Sequence, residues 1–169
     1  MNDLENEAKP FLTPMIQGRG RHLHPHGQAV VAAWAVKMAL ALHLTTPEKA
    51  AMPVHYREIT ETHRAPRQTW VWLAAYTGWR AAYHHSSQLR LDSSTHSAAG
   101  YATTLAIGHL VFQVFGYSGI EDGVTIARRT WARATQTIHP FEGSIVWPSS
   151  TVLDEQGLMA LSTAFETTP

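Results

Sequence analysis

Three histidines at alternate positions, His22, His24 and His26, are by type and spacing the residues of this chain best suited to chemistry. Alternate side chains of a strand leave one face together, and imidazoles so placed can share a zinc or another divalent ion. Pro25 and Gly27 suit a helix start better, however, and no His-x-x-x-His or paired carboxylates offer further ligands. The expectation is a solvated loop or cap, with His22, His24 and His26 as weak metal candidates and neither metal nor cofactor bound. His84-His85 falls on an expected strand, where neighbours face opposite sides, and reads as a surface pair.

Lys37 stands inside an apolar helical run. An ammonium there must reach water along its flexible stem or find a partner. One reading is a perturbed lysine that holds an anion or acts as a base. The other, which is the expectation, is a lysine that snorkels or pairs with Glu5 or Glu7 of the first helix.

Arg19, Arg21, Arg64 and Arg67 lie in loops flanking the helical section, where arginines can follow a phosphate backbone. Trp70 and Trp72, with Trp79 and Tyr83 nearby, could stack on bases, although alternating tryptophans on a strand also serve as one core face and one interface face. Ser86-Ser87 and Ser93-Ser94-Thr95-His96 do not make a nucleophile: there is no Gly-x-Ser-x-Gly elbow. Nor do the glycines form a nucleotide-binding fingerprint.

Composition narrows the classes further. At 169 residues, 44% hydrophobic and 15% charged, the chain suits one domain with a real core. Absence of cysteine removes disulfides, thiolate metal sites and cysteine nucleophiles together, and fits a cytoplasmic location. Net charge is zero, yet Arg19 to Arg90 holds nine basic residues against three acids. A strong nucleic-acid binder usually carries a basic excess overall. The start shows no basic segment followed by an apolar one, as a secretory signal would. The longest apolar run, Ala29 to Leu44, makes about 24 Å of helix at roughly 1.5 Å per residue, too short and too interrupted by Lys37 to predict a membrane span.

The elements follow from period and punctuation. A first helix over about 2–9 gives way at Pro10 and Pro14 to a loose turn reaching Ile16. A second, from Pro25 to about His43, is apolar nearly all round and is expected to be the central buried helix. Thr45-Thr46-Pro47-Glu48 resembles a capping box for a short helix before Pro53, and another follows at 54–63 with Tyr56 and Ile59 inward. Thr69 to Tyr76 alternates as a strand, with Thr77-Gly78 a hairpin turn into a second strand over 79–91. A polar loop over 92–100 leads to Tyr101–Phe115, one long strand or two divided at Gly108. Gly116 to Gly119 turns the chain, a strand starts at Val124, and 128–138 is ambiguous between strand and helix. Ile138-His139-Pro140 and Trp147-Pro148 mark extended or edge positions. Asp154 caps a last helix with Leu158, Leu161 and Phe165 on one side. The expected class is α+β in a single domain, 1–169: helices over about 1–64, an antiparallel β-meander over about 68–150, and a short closing helix over about 154–166.

Taken in order, Met1-x-x-Leu4-Glu5, Ala33-Trp34-Ala35-Val36-Lys37, His63-Arg64-Ala65-Pro66, Val71-Trp72-Leu73, Gly108-His-Leu-Val-Phe-Gln113-Val114 and Ile145-Val-Trp-Pro148 resemble the C-terminal region of actinobacterial and phage HNH-endonuclease-like proteins. The resemblance covers nearly the whole chain. In such proteins a module bearing cysteine and histidine comes first, and Met1 stands where that module would hand over. The opening Met1 to Leu12, already the body of an amphipathic segment, carries the same expectation of a second half. The zinc-binding cysteines and the nuclease histidine and asparagine have no counterparts here, so no catalytic residue carries over.

What the resemblance implies is a non-catalytic accessory module contacting DNA or a nuclease-type protein through the arginine loops. The rival expectation is a protein-interaction or self-association module, possible as a homodimer, using an exposed Trp/Tyr strand face or an edge strand. A lesser one is a small metal- or lysine-dependent enzyme built on Lys37 and the histidine cluster. No contact with a membrane is expected.

Overall fold

Prolines at positions 10 and 14 ought to end a helix, yet α1 runs unbroken from Asp3–Ile16 in the computed structural model. The structure describes residues 3–45, 52–92, 97–119 and 133–165. An interior proline costs about 3 kcal/mol. Pro10 is exposed and Pro14 half-buried, while Leu4, Ala8, Leu12 and Met15 form a buried stripe on the other side. Continuing the helix keeps Leu12 and Met15 in the core, at about 1.5–3 kcal/mol for each fully buried side chain. The break expected after residue 9 is therefore absent.

The central helix α2 (Pro25–Leu44) buries Val30, Val31, Val36, Ala39 and Leu40 among others. His24 takes the extended backbone of an N-cap without a side-chain cap bond, and Pro25 opens the helix. At 20 residues α2 is, by length and composition alone, enough to cross a bilayer; in the fold 61% of its apolar window is buried. A short strand, β1 (Arg21–Leu23), links α1 to α2, and α3 (Pro53–Thr62) follows. In α3 Ile59 is buried as expected, but Tyr56 points outward at 46% exposure. His55, one turn before Ile59, takes the inward place instead.

The remaining strands are β2 (Thr69–Tyr76), β3 (Ala82–Asp92), β4 (Ser97–Ile107), β5 (Leu110–Ser118), β6 (Gln136–His139), β7 (Ile145–Trp147) and β8 (Val152–Leu153), and α4 (Glu155–Ser162) closes the chain. The main sheet has the order β3-β4-β5-β2-β6, with β8 parallel to the end of β2. β3, β4 and β5 form an antiparallel meander, and β2 joins it antiparallel beside β5. This is the expected α+β class. The hairpin expected at Thr77-Gly78 does not form, because β3 pairs with β4 and not with β2. Thr77 N–H donates to Leu153 O, and Trp79 N–H to Glu155, so the chain leaving β2 is tied to β8 and α4. It then crosses the hairpin end to the far edge, three strand spacings or about 14 Å away at roughly 4.8 Å each.

Gly108, at φ 54°, turns β4 into β5, which settles the long segment as two strands. β5 continues through Gly116, where a turn was expected, since Thr69 and Tyr101 hold it on both sides. Strand β4 likewise starts within the segment read as a polar loop. The capping box at 45–48 with its helix, the strand from Val124 and the first part of the ambiguous 128–138 segment lie outside the described residues. The latter part of that segment forms β6.

Alternation along β2 divides the core between the two sheet faces. Val71, Leu73 and Ala75 join α1, α2 and Phe112 in the large cluster. Ala74 and Tyr76 meet Leu153, Leu158 and Leu161 of the closing elements. Trp72 packs with Phe115 and Tyr117, and with Phe165 just beyond α4. Asp154 caps α4 as expected, accepting from Gly157 N–H at 2.7 Å. Apart from the sheet, β1 and β7 make a two-stranded ribbon, and Gln28 pins the nearby chain by donating to Leu23 O and Gly143 O.

Candidate functional site

Strand β1 and the cap of α2 separate the histidine triplet. His22 and His24 are exposed, with their rings edge to face at 4.3 Å. His26, one residue into α2, turns instead to Glu7 of α1 at 3.6 Å and to the ring of Phe11. The change from strand to helix at Pro25 ends the alternation that would have aligned all three. Among the described residues no group of three or more potential ligands is arranged to hold a metal ion.

Lys37 reaches back across the helix pair. Its Nζ donates to Glu5 Oε1 at 2.8 Å, with both side chains partly exposed. The stem lies along α2 while the head meets the acidic first helix. One of the two carboxylates named from sequence is thus its partner, and the pair fastens α1 to α2.

The four arginines expected in loops do not assemble into one patch, and Arg21 begins strand β1 instead of lying in a loop. Arg19 is exposed and follows Gly18, which lies against His109 at the β4–β5 turn. His109 O accepts from Tyr76 N–H, so this is the far end of β2. Arg21 lays its guanidinium 5.4 Å over the Phe11 ring. Arg64 and Arg67 are exposed in the connection that enters β2 at Thr69. From Thr69 to Tyr76 the strand rises about 24 Å at roughly 3.4 Å per residue, so Arg64 and Arg67 sit together at one end of the sheet and Arg19 at the other.

Trp70 and Trp72 share a face of β2, as alternation required. Trp70 stacks on Tyr117 at 5.6 Å, while Trp72 is 7% exposed and stacks on Phe165. Both are packing residues here. Among the described residues the outward tryptophan is Trp79, 76% exposed, with the Arg80 guanidinium 4.5 Å above its ring. Arg80 Nε also donates to Glu155 at 2.8 Å, and the Tyr76 hydroxyl donates to the same carboxylate. Partial burial pushes Glu155 up, but its bonds from Tyr76, Arg80 and Trp79 outweigh this and hold it below the usual carboxylate range. Burial and that carboxylate push Tyr76 up. The constellation anchors α4 beside the start of β3.

A second polar cluster escaped sequence reasoning. His43, in the last turn of α2, meets Thr103 Oγ1 at 3.0 Å, and Ser86 meets the same hydroxyl at 3.1 Å. His55 Nδ1 lies 3.3 Å from the Tyr101 hydroxyl, and the rings of His43 and His55 both approach Tyr101 edge-on. Burial lowers His55 below the ordinary histidine value, against bonds with the Tyr117 backbone and Gln68 that raise it. Burial alone raises Tyr101 strongly. The arrangement holds two helix segments to β4 through imidazole and hydroxyl groups. A histidine inward of the apolar residues at either end of a helix–helix connection was the only signal for it.

The outer edge of the sheet is a further feature of the described residues. β3 pairs with β4 in one uninterrupted register over eleven residues, Ala82↔Ile107 to Asp92↔Ser97. Among the described residues no strand pairs with its other side. The strand contains no proline and no lysine, and its register has no shift. Those are devices by which exposed edges are commonly protected. His84 and Gln88 are exposed on it, while Tyr83, Leu89 and Leu91 are half-buried.

No protein-family model matches this sequence, and neither a curated protein nor a solved structure was found that matches it.

Proposed function

We propose that this chain is a non-catalytic binding module that works by protein–protein contact along the edge of β3. The long, regular edge is the observation that carries this reading. At Ala82, His84 and Gln88 its backbone can bond an incoming strand, and half-buried Tyr83, Leu89 and Leu91 give that strand something apolar to pack on. Two of the groups that read as catalytic candidates in sequence have structural partners: Lys37 with Glu5, and His26 with Glu7. A photo-crosslinking residue at Gln88 tests the reading. It should capture a protein partner in the cell, whereas one placed at Arg19 on the α1–β1 connection should not. Capture from both positions alike, or from neither, would overturn it.

A second reading keeps one observation. Arg64 and Arg67, three positions apart, are both exposed at the end of the sheet away from Arg19. They suit contact with a DNA backbone, and the resemblance of the motifs to HNH-endonuclease-like proteins makes a nuclease-type protein the companion in that case. The expected signature is duplex binding that weakens steeply with salt and falls when both arginines become alanine. Binding indifferent to salt would remove this reading.

A further inference from the structure

Apart from the edge-contact reading, we infer that α3 carries a second contact surface, on which α3 of another copy of this chain docks antiparallel about a two-fold axis. Pro53, Tyr56, Arg57, Thr60 and Glu61 fall at the i, i+3, i+4, i+7 and i+8 positions of one stripe, and all five are exposed. His55 and Ile59, on the opposite side, are the buried residues of the helix. A helix of ten residues is marginal by itself, so packing on its outer face adds to what these two supply. That face is concave. With Leu44 at the end of α2, the five stripe residues line a cavity of about 560 Å³ whose wall is mostly apolar. Two of the lining side chains, Leu44 and Tyr56, are large, apolar and exposed.

Charge selects the occupant and its direction. Arg57 and Glu61 lie one turn apart on the same flank of the stripe, with the cation N-terminal to the anion, the weaker order for a pair within one helix. Among the described residues neither takes part in an ion pair. A parallel copy would set each of these charges against its like. An antiparallel copy, centred at the level of Ile59, sets Arg57 opposite the partner's Glu61 and Glu61 opposite the partner's Arg57. A two-fold axis crossing the helices keeps each flank on its own side, so the attractive pair forms twice. On the other flank the same rotation brings Tyr56 beside the partner's Thr60, at the cavity. The interface is isologous and closes as a dimer. With α3 and Leu44 as its whole extent, it is a small one, and the dimer is weak, formed at high micromolar concentration.

Sedimentation velocity of the full chain, at rising concentration and low salt, tests this. The unmodified protein should show a monomer–dimer equilibrium that weakens as salt is added. Arg57→Glu alone and Glu61→Arg alone should each weaken the dimer roughly tenfold, since symmetry turns two attractive pairs into two repulsive ones. Both side chains are exposed, so neither variant should change its circular dichroism spectrum. The two single variants mixed in equal amounts should associate again, because an acidic flank then meets a basic one. The double variant carrying both reversals should also regain the dimer of the unmodified chain. A protein that stays monomeric into the millimolar range overturns the inference, as does a dimer that ignores both single reversals. Loss in the single variants without rescue on mixing overturns it too, because the charges then do not face each other. Capture of a partner at Gln88 does not depend on these substitutions, so the edge-contact reading stands or falls separately.

Discussion

His55 Nδ1 and the Tyr101 hydroxyl meet 3.3 Å apart in the interior, joining α3 to β4 across 46 residues of chain. His55 is 2% exposed and Tyr101 is 3% exposed. Protonating the imidazole there would bury a charge whose nearest hydroxyl belongs to a phenol that burial itself keeps neutral.

Stability should therefore fall as the solution is acidified. Burial lowers both His55 and, less deeply placed, His139, so the unfolded chain binds these protons first. For a histidine depressed in the fold, stability is whole above the unfolded value of about 6.5 and declines as pH drops below it, until the folded value is passed. The slope should reach about 1.4 kcal/mol per pH unit for His55. Urea midpoints measured between pH 8 and pH 5 check this; a flat profile would mean the imidazole is not held neutral.

Replacing Lys37 should matter little. Its bond to Glu5 is partly exposed, and such pairs contribute about 0–1 kcal/mol. Lys37→Met retains the stem against α2 and should change the unfolding free energy by less than about 1 kcal/mol. A loss of several kcal/mol by denaturant titration would show instead that the ammonium is a buried structural charge.

Gly108→Ala should destabilise by about 1–3 kcal/mol. The residue sits at φ 54°, and a Cβ there would come 2.5 Å from Ile16 O, the carbonyl that accepts from His109 N–H. The end of α1 and the β4–β5 turn would have to separate. Thermal melts of the variant, with the α1 amides followed by hydrogen exchange, should show that end of α1 loosening first.

Truncating Phe112 tests the main core. The ring is fully buried and lies 5.7 Å from Trp34 of α2, the contact through which the helix meets β5. Phe112→Ala should cost about 3–5 kcal/mol. Chemical denaturation gives the value, and near-ultraviolet dichroism from Trp34 should weaken with it.

Much of this architecture was legible before any tertiary contact was known. The apolar run from Val30 to Leu42 announced a buried helix, and Pro25 announced its start. Thr69 to Tyr76 announced a strand through alternation, and Asp154 a helix cap. Each signal lies within a few residues of chain, where side-chain period and backbone sterics act directly. The phase of α3 is the near miss: Tyr56 and His55 both lie within a turn of Ile59, and only packing against Tyr101 selects the histidine.

What sequence alone determined, then, is the α+β class, the buried central helix, the strand Thr69–Tyr76, the cap at Asp154, the choice of Glu5 or Glu7 as partners for Lys37, and the alternation that put Trp70 and Trp72 on one face. Tertiary structure decided the rest. It carried α1 through two prolines, because the buried stripe at Leu4, Ala8, Leu12 and Met15 outweighs two lost bonds. It set β2 beside β5 and sent β3 to the edge, sent His26 to Glu7, and brought His43 to Thr103 across 60 residues. Strand partners and buried polar contacts are chosen by which distant surfaces fit after collapse, and no local window of sequence contains both surfaces.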